Sequence, residues 1–526
     1  MPSLIKTIRN FYRDSVALMQ LSAALGKLPG VRQASAVMAS ETNLGLLREA
    51  GLLAEEVDAG PNDLLIALEG DDPAALAAAE AEAKQALERK PASTPGAGPR
   101  GEPPRSLEMG LDAAPGANLA LISCPGDYAA AEAMKALRLG LHVMLFSDNV
   151  AVEDEIALKR YAQAHDLMVM GPDCGTAIIG GIPLGFANLV RRGDIGIVAA
   201  SGTGLQQVTC LVDRLGCGIS QAIGTGGHDL SRDVGGVTFL QGLKALADDP
   251  ETRVIVLISK PPAPEVAARV IDVAGKTGKP VVVNFLGAEP KFATGANLTP
   301  AKTLEDAALA AAALSKGEGK DRLALASPAF EPPALAAGQS FIRGLYSGGT
   351  FCYEASLLLA ETLPEVYSNT PVGAAKALDD VWKSRGHTLI DLGDDVFTRG
   401  RPHPMIDHRL RNERIAKEAR DPETAAILLD VVLGYGAHAD PASEIAPVVR
   451  QAISEALASG RRLTVVGFVC GTPADPQSLA TQETKLREAG MTLAQSNAQA
   501  VRLAARIAKG ALGQGLHSAR SGSRSR

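Results

Sequence analysis

Eight apolar runs, each closed by a turn rich in glycine or polar residues, fall into two sets of four in the same order. The first set reads "IGIVAASGTG", "ISQAIGTGGHDL", "VIVLISKPPAP" and "PVVVNFLGAEP"; the second reads "FIRGLYSGGT", "HTLIDLGDD", "AILLDVVLGYG" and "LTVVGFVCGT". Apolar runs separated by helical patterns predict parallel, doubly wound sheets, with ligands beyond the C-terminal ends of the strands. The internal repeat predicts two copies of one such domain. "SGTG" and "SGGT" hold the same place in the two copies, and each is followed by an amphipathic stretch, "LQQVTCLVDRL" and "FCYEASLLLAETL". A glycine-rich turn between a strand end and a helix start aims free backbone N–H groups at an anion. Ser201, Gly202, Thr203 and Gly204, with Ser347, Gly348, Gly349 and Thr350, are therefore expected to cradle one phosphate between two helix N-termini related by a pseudo-two-fold axis.

Composition bounds the rest. At 526 residues the chain exceeds one hydrophobic core, which rarely grows beyond roughly 250 residues. A formal charge of −7 gives no general basic field for nucleic acid. No run of about 18 uninterrupted apolar residues is present, so no membrane span is expected. The six cysteines form no CxxC pair, which speaks against a metal knuckle or a disulfide framework and for a reducing cytoplasm. No metal is expected. "PASTPGAGPRGEPPRS" and "ASPAFEPPALAAGQS" read as linkers, and the basic end "SARSGSRSR" as a disordered tail.

Three turns bring a resemblance. From Ala117 to about Ser315 the chain is similar to the α subunit of succinyl-CoA synthetase: "GPDCGTAII" matches that family's GPNCPGxI turn, "GIVAASGTG" its GIVSRSGT helix start, and "AIGTGGHDL" its GIGGDP turn. Phe341 to about Ile507 is similar to the ligase domain of the β subunit. The whole sequence, including "LGDDVFTRGRPHPMIDHRLRNE", resembles FdrA, an acyl-CoA synthetase-like family implicated as one subunit of oxamate carbamoyltransferase in anaerobic allantoin degradation. The resemblance implies an α/β chain: a small N-terminal ferredoxin-like domain (1–90), a linker (91–115), a Rossmann-like CoA-binding-type domain (116–190), two duplicated flavodoxin-like ligase domains (191–318 and 339–512) joined by a linker (319–338), and the tail (513–526).

The departures from succinyl-CoA synthetase carry their own expectations. The loop after "PVVVNFLG" holds no histidine where that family carries phosphate, and Lys260 stands where its GEIGG glutamate would be. The CoA loop GxxGSQGT is absent, and no ATP-grasp module is recognised. Two helix ends plus a lysine suit a pre-formed acyl phosphate, so the chain reads as a carbamoyltransferase subunit that takes carbamoyl phosphate, needs no cofactor, and works with other protein subunits. The alternatives are a nucleotide-dependent CoA ligase that borrows an ATP-binding chain, and a non-catalytic scaffold. Lys260 would neutralise the phosphate or carbonyl oxygen; the competing reading is a solvated lysine at a strand end. In "DLGDDVFTRGRPHPMIDHR", which includes Asp391, Asp394 and Asp395 are placed at the ligand face, with Arg401 forking onto a substrate carboxylate and His403 relaying a proton. The same segment also reads as a loop locked by internal Asp–Arg pairs. Asp173 and Cys174 fall in the "GPDCG" turn, where Cys174 reads either as a site residue or as a buried thiol, and His228 offers itself as a phosphohistidine.

Overall fold

The computed structural model describes residues 2–55, 57–88, 104–289, 293, 295–318, 323–399 and 401–522, the side chains of 511–522 excepted. It divides into two compact units, Met1–Cys174 with Asp395–Asp407, and Gly175–Asp394 with His408–Arg526.

The first unit opens with β1 (Ser3–Ile8), α1 (Ser15–Leu25), β2 (Val31–Met38), α2 (Glu41–Glu49), β3 (Leu64–Gly70) and α3 (Pro73–Glu88), built on an antiparallel sheet of order β1-β3-β2. Strand β3, "LLIALEG", shows why the sheet is covered on both faces: Leu64, Ile66 and Leu68 join one core with α1 and α3, while Leu65 and Ala67 join a second with Leu44, Leu47 and Leu53. Asp14 and Ser40 cap α1 and α2 by accepting from Ala17 N and Asn43 N. Helix α4 (Leu107–Ala113), capped by Ser106, lies inside the stretch expected to be a linker, because "SLEMGLDA" supplies a cap and helix formers. Of that linker, 91–103 lie outside the described residues. A parallel sheet β4-β5-β6 follows, made of β4 (Leu119–Ile122), β5 (His142–Leu145) and β6 (Val169–Met170) with α5 (Gly126–Arg138) and α6 (Val152–Ala164) between them.

The second unit holds two seven-stranded sheets. The first combines the hairpin β7 (Thr176–Ile179) and β8 (Ile182–Gly185) with β9 (Arg192–Ala200), α7 (Gly202–Arg214), β10 (Ile219–Gly224), α8 (Val237–Asp248), β11 (Val254–Ser259), α9 (Pro264–Gly275), β12 (Val281–Phe285), β13 (Leu298–Pro300) and α10 (Leu304–Lys316). Residues 176–185 were expected within the 116–190 domain; Gly180 and Gly181, at φ 60° and 82°, turn β7 back on β8, and β7 pairs antiparallel with β10, so the hairpin joins this sheet. The second sheet contains β14 (Phe341–Tyr346), α11 (Gly349–Ala360), β15 (Val366–Ser368), β16 (Lys376–Ala377) and β17 (His387–Asp391). After the short α12 (Asp395–Thr398), which belongs to the first unit, it continues through α13 (Arg409–Arg420), β18 (Thr424–Val432), α14 (Pro441–Ala458), β19 (Thr464–Cys470), α15 (Leu479–Glu488), β20 (Thr492–Ala494) and α16 (Asn497–Gly522). Helix α16 continues through 513–522, where a disordered tail is expected from the sequence; "ARIAKGALGQGL" keeps enough Ala and Leu to extend it. Residues 523–526 lie outside the described residues.

The two sheets share one winding. Their central orders are β10-β9-β11-β12-β13 and β17-β14-β18-β19-β20, which is the flavodoxin-like arrangement 2-1-3-4-5 in both. The order reverses between the first and third strands, so the turns after β9 and β11, and after β14 and β18, flank the crevice of each copy. All six cysteines are free thiols.

Candidate functional site

Strand β9 ends at Ala200, and Ser201 adopts an extended conformation (φ −162°, ψ 111°) from which its Oγ accepts Gly204 N–H at 3.1 Å, closing the first turn of α7. In the second copy the cap shifts by one residue, to Gly348. The two helix starts meet directly: Ser201 Oγ and Thr350 Oγ1 share a hydrogen bond of 2.7 Å, and a Cβ built on Gly348 would lie 3.0 Å from Thr203 Cγ2. Among the described residues, the N–H groups of Gly202, Thr203, Gly349 and Thr350 donate to no protein acceptor. Two positive helix ends therefore converge, and each stabilises a nearby negative charge by about 0.3–1 kcal/mol when exposed and up to about 2 kcal/mol when partly buried.

The two turns are not equivalent, which corrects the expectation of a symmetric cradle. Asp430, near the C-terminal end of β18, already fills the second turn: Oδ1 accepts Ser347 N–H at 2.8 Å, while Oδ2 accepts Ser347 Oγ–H at 2.6 Å and Gly348 N–H at 3.0 Å. Its charge is met by Arg411 of α13, whose Nη1 donates to Asp430 Oδ1 at 3.1 Å and to its carbonyl at 2.7 Å, and whose Nη2 donates to His408 Nδ1 at 3.2 Å. Asp430 and Arg411 are both fully buried. Ser347 and Gly348 thus serve an internal carboxylate and have no amide left for a ligand. What remains open is the α7 turn together with Gly349 and Thr350 of α11.

Lys260, immediately after β11, is exposed and places Nζ 5.6 Å from the centre of the Tyr353 ring on α11. Its charge reaches Asp391 at the end of β17. Burial pushes the Asp391 carboxyl up to about 6, and Lys260 works against that rise. Burial also pushes the Cys352 thiol upward, which keeps it protonated and inert beside the same group.

The other expected residues fall elsewhere. Asp173, Cys174, Asp395, Arg401 and His403 belong to the first unit; Asp394, like the helix starts and Lys260, belongs to the second. Cys174 is 2% exposed and donates its N–H to Leu145 O at 3.1 Å, the setting of a structural thiol. Asp173 has φ 56° and donates to Ser147 O at 3.0 Å. Arg401 is exposed, with its N–H on Thr398 O. The proton-relay role for His403 meets an obstacle: Nδ1 accepts Met405 N–H at 3.2 Å, which places the ring proton on Nε2 and engages the nitrogen that would act as base. Arg399 of this segment forms an ion pair with Glu49 at 3.1 Å. His228 is exposed. Sequence reasoning missed the Asp430–Arg411 pair and gave Asp391 no role of its own.

Comparison with known proteins fits this architecture. A CoA-ligase family model matches residues 345–507, a CoA binding domain model matches 190–287, and a model described as AllF, heavy metal-associated domain matches 1–103. The heavy-metal chemistry does not fit: residues 1–103 contain neither cysteine nor histidine, and among the described residues no group of His, Cys, Asp and Glu could hold a metal ion. Among the described residues no helix is long and apolar enough to cross a membrane. The α subunit of the ADP-forming succinate–CoA ligase of Staphylococcus epidermidis is 30% identical over 182 residues, 33% of this chain and 57% of that subunit's length. A solved structure of the dinucleotide-forming acetyl-coenzyme A synthetase 1 of Ca. Korarchaeum cryptofilum is similar at 17% identity and a TM-score of 0.32, covering 76% of this chain and 85% of that one. The uncharacterized protein YahF of Escherichia coli K12 is 44% identical over 493 residues, 93% of this chain and 95% of YahF. With two matching CoA-type models, a duplicated ligase winding and a relative that similar over nearly its whole length, this chain belongs to the FdrA-like, acyl-CoA synthetase-like proteins.

Proposed function

We propose that the chain handles an acyl phosphate where α7 and α11 meet, as the ligase-type core of a CoA ligase that works with a partner chain supplying nucleotide. The observation that carries this reading is the junction itself: Ser201 and Thr350 in hydrogen-bond contact, with four helix-start amides that donate to no protein acceptor among the described residues. In that reaction the acyl carbon is attacked by a thiol, the C–O bond to phosphate breaks, and inorganic phosphate leaves. The work required of the protein is to hold the phosphate and the developing oxyanion, which positioned donors and a cation supply; one such donor is worth about 10²–10³ in rate. Gly202, Thr203, Gly349 and Thr350 would provide the donors and Lys260 the cation. The matches to CoA-ligase and CoA-binding families support the same chemistry.

A second reading takes carbamoyl phosphate as the acyl phosphate and an amine-type nitrogen as the nucleophile. It is favoured by two sequence facts, the absence of any histidine between Leu286 and Ser315 and the presence of Lys260. Both point to a phosphate that arrives on the substrate and not on the enzyme. Calorimetric titration of the purified chain with inorganic phosphate, carbamoyl phosphate, CoA and ADP tests the proposal. Binding of phosphate, lost in Ser201→Ala/Thr350→Val, is expected in either reading. Added CoA binding supports the ligase, whereas carbamoyl phosphate binding without CoA supports the transferase. A chain that binds none of the four overturns both.

A further inference from the structure

Asp391 is held with unusual care for a residue that closes a strand. Its N–H donates to Asn369 Oδ1 at 2.9 Å, and its carbonyl accepts from Asn369 Nδ2 at 3.1 Å, so one side chain clamps its backbone from both sides. Its Oδ1 accepts Gly393 N–H at 3.0 Å. Its Oδ2 accepts no hydrogen bond among the described residues, although Asp391 is only 8% exposed. That oxygen lies against the first residue of α11: a Cβ built on Gly349 would fall 2.5 Å from it. A side chain at 349 would have to push that oxygen away, and the close approach delivers a carboxylate oxygen to the edge of the anion junction. With no protein donor on it, that oxygen keeps its lone pairs available for a proton.

We infer that Asp391 is the proton carrier of this site: its Oδ2, held against the start of α11, takes the proton from the nucleophile that attacks the acyl carbon and passes it to the leaving phosphate. The inference rests on the proposed acyl-phosphate reading. The bond made is between carbon and the nucleophilic sulfur or nitrogen, and the bond broken is between carbon and the phosphate oxygen. The proton leaves the nucleophile, rests on Oδ2, and ends on inorganic phosphate, so Asp391 is regenerated and no co-reactant is needed. The step serves a thiol and an amine-type nitrogen equally.

The charged and titratable groups facing Asp391 are Lys260 at the end of β11, Asp394 in its own turn, Asp430 on β18 and the Cys352 thiol on α11. With burial, Asp394 and Asp430 push its carboxyl up and Lys260 pulls it down, leaving it at about 6, where a base can act near neutral pH. A dianion placed on the α7 turn adds negative charge beside Asp391 and raises the carboxyl further. Binding must then take up a proton.

Sulfate tests this directly, because it occupies phosphate sites and does not titrate between pH 5 and 8. Titrated calorimetrically into the full-length chain in buffers of different ionisation enthalpy, sulfate is expected to bind with uptake of up to one proton, largest between about pH 6 and 7. Asp391→Asn is expected to bind sulfate at least as tightly and take up none. Lys260→Met, which removes the cation holding the carboxyl down, is expected to move the uptake to higher pH, and it decides the matter if Asp391→Asn does not fold. Sulfate binding without uptake, or uptake that persists in Asp391→Asn, overturns the inference and leaves the acyl-phosphate reading standing. No sulfate binding to the unaltered chain overturns both.

Discussion

Asp430→Asn probes the asymmetry of the two helix starts. The change keeps the volume of the side chain and removes the charge that answers Arg411, which is fully buried with no other carboxylate on its guanidinium among the described residues. Asparagine could still accept Ser347 N–H through Oδ1, but its amide nitrogen would then face Gly348 N–H and the Ser347 hydroxyl, two groups that now donate to Asp430 Oδ2 at 3.0 and 2.6 Å. Breaking a buried pair by removing one partner costs about 3–5 kcal/mol, because the remaining charge is stranded. The loss of favourable geometry at the two donors is part of that figure. Guanidinium unfolding monitored by circular dichroism should therefore show a fall of that size with an unchanged m-value. Replacing Arg411 with Met in the Asp430→Asn background should recover a large part of it, since the stranded charge is then gone. A loss below about 1 kcal/mol in Asp430→Asn, or no recovery in the double variant, would refute the reading of Asp430 as the internal anion of the second turn.

Other expectations follow from the same geometry. Glu354 on α11 is fully buried, accepts Leu304 N–H at 2.7 Å and Asn497 Nδ2–H at 2.8 Å, and is pushed by burial up to about 7 from an ordinary 4.5. The folded chain then holds a proton that the unfolded chain releases, so stability should fall as pH rises from about 4.5 to 7, by on the order of 3 kcal/mol, and Glu354→Gln should flatten that slope in a pH series of denaturant midpoints. Gly349→Ala forces Asp391 aside and should cost about 1–3 kcal/mol while abolishing anion-linked proton uptake in calorimetry. Lys260→Met should leave the denaturation midpoint nearly unchanged and slow acyl transfer on the order of 10²-fold in the assembled enzyme, with wild-type rates returning this lysine to the status of a solvated side chain.

Much of the fold was legible because it is written in local pattern. Continuous apolar runs such as "IGIVAA" and "VIVLIS" announce strands buried on both faces, and the glycine turns after them occur in matching order, so the duplicated winding follows without tertiary knowledge. The site was legible only in outline. Ser201 and Thr350 could be paired from the repeat, but Ser347 could not be separated from Ser201, because the carboxylate that occupies it comes from 83 residues downstream. A signal was present: "AAILLDVVL" carries one aspartate inside a fully buried strand, and such a residue needs partners. Its cation, Arg411, was hidden in "RLRNER", a stretch that composition assigns to a solvated helix. Lys260 and Asp391 were likewise separable only in space, since each closes a strand of a different copy. The β7–β8 hairpin shows a missed local cue, the Gly180–Gly181 pair between "TAII" and "IPLG".

Anomalous diffraction from crystals soaked in tungstate, a heavy tetrahedral dianion, tests the anion junction most directly. The predicted result is a single strong peak within hydrogen-bond reach of the Gly202 and Thr203 amides and the Thr350 hydroxyl, with Lys260 turned toward it and Asp430 still on Ser347. Density confined to other surfaces, or a peak that displaces Asp430 from the second turn, would contradict the account.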